Sequence, residues 1–349
     1  MFLPQPNRGE ARCGASGHAA ANPPPATFAD GRAVRLLSKA LVAVVALCAM
    51  GTGPLRAGTL YLPNASFESP VVPIDLTPAI PDMDYWQKSP QPAWYDPSQY
   101  DYYPWDTRMG TFYNLHTPPP LPDSFIDNCD GSQAAFLFAF PDVAIFQDYD
   151  SIYGTNTTPS HAFDAKFNVN RAYTLTVGVI GGGGGMYDGT PLELSLYYRN
   201  ASNDIVSVAT VAITNSALVF PTNTHFVDFS VYVPGVQATN LWAGQNIGVQ
   251  IASTVTYDLR GGYWDVDNVR LTETLLPALT DLRMTNNQFG FTLQSQPGLR
   301  FEILATTNLA LPISNWTNLG TLTNVTGAAP FLDPATNLNH RYYRAHQLQ

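Results

Sequence analysis

Between residues 134 and 272 the chain repeats one pattern: a short run of β-branched and bulky apolar residues, a turn of Gly, Asn, Pro or Asp, then another run. Residues 134–140, 143–149, 163–167, 172–180, 191–199, 205–213, 225–233 and 246–253 are such runs. No stretch with helical periodicity separates them, so parallel strands joined by crossover helices are excluded and an antiparallel β-sandwich is predicted. Alternation assigns the faces: in 226–231, Val227, Phe229 and Val231 point to the core while Asp228 and Ser230 point to water. The composition agrees, with 45% hydrophobic residues, only 13% charged, 29 Pro and 26 Gly in 349 residues.

The last of these strands is read from Gly261-Gly262-Tyr263-Trp264-Asp265-Val266-Asp267-Asn268-Val269-Arg270-Leu271-Thr272, which brings aspartates to one end of a sheet. A closing Asp-Asn-Val-Arg-Leu, together with an opening Asn64-Ala65-Ser66-Phe67-Glu68 in a strand over 60–68, resembles galactose-binding-like jelly rolls, including the carbohydrate-binding modules of secreted glycanases. The resemblance implies a jelly-roll β-sandwich over residues 58–275. It also implies a structural calcium between the two motifs, with Glu68 and Asp267 as ligands and Asp265 or Asp130 nearby. Calcium takes six to eight oxygens, so backbone carbonyls would complete the shell. The alternative for Asp267 and Asn268 is that they bond backbone groups at a strand end.

Ahead of this domain, Arg32, Arg35 and Lys39 precede the apolar run 40–50, the pattern of a signal peptide too short to span a membrane. Residues 1–57 are therefore expected to be a leader, cut after Ala57, and the protein to be secreted or at the cell surface. Without them 11 basic and 25 acidic residues remain, a net charge of −14. Only Lys88 and Lys166 remain as lysines, too few for a basic patch, so nucleic acid and anionic membrane are poor partners and no nucleic-acid binding is expected. Cys13 and Cys48 leave with the leader. Cys129 stays alone, without an intrachain disulfide framework and better suited to packing than to nucleophilic work.

Ten aromatic residues lie between Tyr85 and Tyr113, among them Trp94, Tyr95, Tyr100, Tyr102, Tyr103 and Trp105. Two roles fit this density. The rings could pin a long connection onto the sandwich, or Trp94, Tyr103 and Trp105 could form a platform for sugar rings. Exposed, coplanar Trp94 and Trp105 would favour the platform. The glycine run 181–185 lacks a following Lys-Ser/Thr and a helix, so it reads as a hairpin connection rather than a phosphate loop.

After the linker 275–278, Phe289-Gly290-Phe291-Thr292-Leu293 and Phe301-Glu302-Ile303-Leu304 read as a hairpin opening a small β module over 276–349. It resembles the fibronectin-like or immunoglobulin-like appendages of exported bacterial proteins. Both parts are similar to proteins of the PEP-CTERM sorting group, but no such sorting tail follows Arg344, so anchoring by that route is not expected. Catalytic signatures are missing: there is no GxSxG and no HExxH, and the histidines after the leader are scattered. The sequence therefore points to a secreted, non-catalytic carbohydrate-binding-like protein with a polysaccharide or glycan partner. The alternative is a structural or adhesive surface protein without a glycan ligand.

Overall fold

The computed structural model describes residues 58–73, 79–99, 103–116, 119, 124–336 and 340–348. The leader with its signal-peptide pattern, and Tyr100 and Tyr102 of the aromatic run, lie outside the described residues.

Among the described residues twelve strands precede residue 276: β1 (Gly58–Leu60), β2 (Ala79–Ile80), β3 (Gln87–Lys88), β4 (Met109–Tyr113), β5 (Gln133–Phe138), β6 (Ala144–Gln147), β7 (Arg171–Gly183), β8 (Pro191–Arg199), β9 (Ile205–Thr214), β10 (Val227–Val233), β11 (Gly248–Ser253) and β12 (Tyr263–Leu275). Among the described residues there is no α-helix, only short 3-10 turns, and no helix is long and apolar enough to cross a membrane. One sheet runs β10-β7-β12-β5-β4-β2, with β1 also on β12; the other runs β3-β6-β11-β8-β9. All these pairings are antiparallel. The eight strands β5 to β12 thus divide into β10-β7-β12-β5 and β6-β11-β8-β9, the double Greek key of a jelly roll.

The core follows from alternation. Leu175, Val177 and Val179 of β7 and Trp264 and Val266 of β12 meet Leu194 and Leu196 of β8 and Val249 and Ile251 of β11 between the sheets. On β10, Val227, Phe229 and Val231 do face the core and Asp228 and Ser230 are exposed. Val227 and Phe229 stay partly open because β10 is an edge strand.

Three local expectations are corrected. Residues 61–68 are not strand: Asn64 and Phe67 take positive φ (49° and 54°), and the Asn64 side chain ties Ser69 and Asp84 into a compact turn. Residues 163–167 bury Phe163 and Phe167 but pair with 245–247 only through an isolated bridge. The glycine run is not a free connection either. Gly181–Gly183 continue β7 beside β12, where a Cβ on Gly183 would lie 2.4 Å from the Tyr263 ring.

Beyond residue 276, β13 (Ala278–Thr285), β14 (Gln288–Gln294) and β17 (Ala328–Thr336) form one three-stranded sheet. β15 (Arg300–Thr306), β16 (Thr317–Thr323) and β18 (Tyr342–Leu348) form another, with Phe291, Leu293, Phe301, Ile303 and Tyr343 in a separate core. The expected hairpin of 289–293 with 301–304 is therefore not formed. These strands face each other from different sheets, because each buries the apolar side that a hairpin would have placed on one face.

Candidate functional site

The sheet containing β12 is apolar on both faces. Ala135 and Leu137 of β5 enter the core, so Phe136 and Phe138 project from the outer face. Trp264 and Val266 of β12 likewise turn inward and leave Asp265 outside. Register then sets Phe136, Asp265 and Ile180 in one row across β5, β12 and β7. Two adjoining cavities open over this face, sharing Ala79, Phe136 and Phe138. One, of about 550 Å³, is walled by Phe112, Phe136, Phe138, Ile180 and Tyr263 with Asp265 among them. The other, of about 630 Å³, is bounded by Tyr103, Arg108, Phe138 and Phe140, with Gln99 and Thr107 at its edge.

Arg108 fixes the second wall. Its buried guanidinium lies 5.1–5.6 Å from the ring centroids of Phe140, Phe138, Tyr103 and Tyr95, and its Nε donates to the Tyr95 hydroxyl at 2.7 Å. Tyr95 in turn donates to the Tyr103 carbonyl at 2.8 Å. A cation among rings holds them in place while Tyr103 remains 56% exposed.

The three aromatic candidates separate accordingly. Tyr103 lines a cavity. Trp105 is only 4% exposed, its indole N–H donating to the Ser89 carbonyl at 2.8 Å. Trp94 is half-buried, donates to Asp142 at 2.8 Å, and meets Trp105 edge-on at 89°. Trp94 and Trp105 therefore present no coplanar exposed faces, because their ring surfaces are used in packing 92–99 and 103–108 onto the sandwich.

The carboxylates separate too. Glu68 accepts the backbone N–H groups of Ser132 (2.8 Å) and Gln133 (2.7 Å) and the Ser132 hydroxyl (3.1 Å). Gly131, immediately before them, has φ 104° and lies so close that a Cβ would be 2.4 Å from Glu68 Oε1. Asp267, fully buried, accepts the Asp130 N–H at 2.6 Å through Oδ2, while Oδ1 has no hydrogen-bond partner. The Asp130 side chain is exposed. Asn268 takes φ 52° at a bulge in β12, next to the Val269 N–H that donates to the Ala65 carbonyl at 2.9 Å. Opening and closing motifs are thus stitched directly. Of the four carboxylates, Glu68, Asp267 and Asp130 come together at this junction, with both Glu68 oxygens accepting from Ser132 and Gln133, whereas Asp265 faces the cavity. Cys129 sits half-buried at this junction, its Sγ donating to the Gln133 carbonyl. Burial first, then the neighbouring Asp267, Glu68 and Asp130 charges, push its thiol far above the usual range and keep it protonated.

Asp265 has no hydrogen-bond or ion-pair partner among the described residues; its side chain touches the cavity and is otherwise enclosed by protein. Burial pushes its carboxyl up from 3.8 to about 8. Burial likewise raises Asp267 to about 7, against the opposing Asp130 N–H bond. A carboxyl with a raised folded pKa keeps a proton in the fold that the unfolded chain has already lost. Stability contributed by these groups is therefore present at acid pH and is lost as pH rises from about 4 to about 8. The midpoint of thermal unfolding is expected to be higher at pH 5 than at pH 8 by on the order of several degrees. Asp265→Asn is expected to flatten that slope, and an equal slope in the variant would remove Asp265 as its source.

No protein-family model matches this chain, and no curated protein matches it. Solved structures do. A cyclase from Fischerella sp. TAU is 20% identical over 64% of this chain and 100% of the cyclase, with a TM-score of 0.42. The CBM22-1 xylan-binding domain from Paenibacillus barcinonensis Xyn10C is 11% identical over 47% of this chain and 86% of that domain, with a TM-score of 0.27. A carbohydrate-binding module specific for non-crystalline cellulose is 14% identical over 42% of this chain and 79% of the module, with a TM-score of 0.27. Function in this chain is read from its own side chains.

What sequence reading passed over was the outer cavity itself. The signal was present in residues 134–140, Ala-Ala-Phe-Leu-Phe-Ala-Phe, which are apolar at both parities and so require cover on both faces.

Proposed function

We propose that this protein is a carbohydrate-binding β-sandwich that acts by recognition, and that its site is the pair of aromatic-walled cavities over the seven-stranded sheet. The observation that carries this reading is the fixed set of rings on that face, Tyr103, Phe136, Phe138 and Tyr263, held by the sheet and by Arg108. Flat apolar rings suit the C–H faces of sugars, and Gln99, Thr107 and Asn223 at the borders suit their hydroxyls. Among the described residues that line the two cavities, Asp265 is the one carboxylate. The basic and apolar pattern before residue 58 supports action outside the cell.

Electrophoresis of the purified protein through gels containing soluble polysaccharides tests the reading. Retardation on at least one glycan is expected, weakened about tenfold by Tyr103→Ala or Phe138→Ala and little changed by Trp94→Ala. No retardation of the folded protein on any glycan would sink it and leave the structural or adhesive role.

A further inference from the structure

We propose that the sugar unit seated over Asp265 is an amino sugar, its ammonium group pairing with the Asp265 carboxylate beneath the surrounding rings. The inference rests on the glycan reading above and assigns the ligand class of the first cavity.

Four observations converge on it. Asp265 is fixed at the centre of a sheet, between Phe136 and Ile180, so neither adjacent strand offers it a charge. Among the described residues, the other titratable groups lining this cavity are Tyr113 of β4, Tyr263 of β12 and His116 beyond β4, and His116 stacks on Phe125 at 4.0 Å. A carboxyl left without a partner beneath apolar rings is costly. A bound cation removes that cost, which a neutral hydroxyl does only in part. The walls themselves, Phe112, Phe136, Phe138 and Tyr263, turn ring surface toward the same space, and ring faces attract ammonium groups. Finally, residues 58–349 carry a net charge of −14 with two lysines, a field that draws a polycationic glycan and repels uronates and sulfated sugars.

The test compares three hexasaccharides on one β-1,4-linked backbone, made of glucosamine, N-acetylglucosamine or glucose, titrated calorimetrically at pH 6.5. The glucosamine oligomer is expected to bind about tenfold or more tightly than the other two. Asp265→Asn, which keeps the size and shape of the side chain, is expected to abolish the preference while leaving weak binding of all three. Equal affinity for the three oligomers would overturn the amino-sugar assignment and leave the cleft a glycan site. A preference that survives in Asp265→Asn would also overturn it, tracing selectivity to general surface charge. Binding of none would overturn the glycan reading and the assignment with it.

Discussion

Trp264→Ala is expected to lower the unfolding free energy by about 3–5 kcal/mol, the usual cost of emptying a buried tryptophan site. The residue is fully buried in β12, packs edge-on to Phe220 at 5.8 Å, and lies against Gly181, where a Cβ would come within 2.8 Å of its ring. β7 and β12 are both long central strands, so little can relax into the space left behind. The same side chain carries an indole N–H with no hydrogen-bond partner. Trp264→Phe removes that buried donor together with part of the ring, and is expected to cost much less than the alanine change. Urea unfolding of the three proteins, followed by circular dichroism, decides the matter. Equal losses for Phe and Ala would mean that the orphaned N–H is of no consequence.

The second large effect belongs to the other core. Asp333, 1% exposed, accepts from the Arg341 guanidinium through both oxygens (2.7 and 3.0 Å), from the Tyr343 hydroxyl (2.7 Å) and from the Ala335 N–H (2.9 Å). Asp333→Ala strands a mostly buried guanidinium and is expected to cost about 3–5 kcal/mol. Because Phe291, Phe301 and Tyr343 belong to a cluster that shares no buried residue with the jelly-roll core, the loss should be confined to residues 278–348. Hydrogen exchange read by mass spectrometry would show faster exchange there and unchanged protection in β7, β8, β11 and β12. Loosening spread evenly over both sandwiches would instead show that the two fold as one cooperative unit.

Much of the architecture was legible because alternation and turn residues act locally. Residues 191–199 form the strand expected of them, and 205–213 fall one residue short of theirs. Asn64 to Glu68 and Asp267 to Leu271 do meet, though Asn64 and Phe67 build a left-handed turn where a strand was expected. A positive φ at a phenylalanine is a product of tertiary packing, and neither propensity nor periodicity signals it. The pairing of 289–293 and 301–304 failed for a similar reason. Proximity in sequence favoured a hairpin, while burial of Phe291 and Phe301 from opposing sheets decided the outcome.

The site was harder to see. Tyr103 and Trp105 have equal claims in sequence, and only tertiary contacts put one ring on a cavity and the other in the core. Asp265 and Asp267 fall on the same face by alternation, yet the neighbours on β5 and β7 give one an open cavity and the other a backbone amide. Those neighbours lie far away along the chain, where spacing carries no information about them.

The order of strands has a consequence for how such a chain is made. β12 lies between β7 and β5, and β1 joins its far end through Gly58 and Glu273, more than two hundred residues apart. A ribosome therefore delivers the middle of the sheet last. Until residues 263–275 emerge, β5 and β7 each present an open hydrogen-bonding edge with no partner, beside two phenylalanines on β5 that later face the cavity. Long-range closure of this kind is slow, and nascent chains that stop short of it are open to strand-to-strand association. β12, the last strand of this sheet to be made, is thus both keystone and timer: what it completes in the folded protein, it leaves unprotected in the growing one.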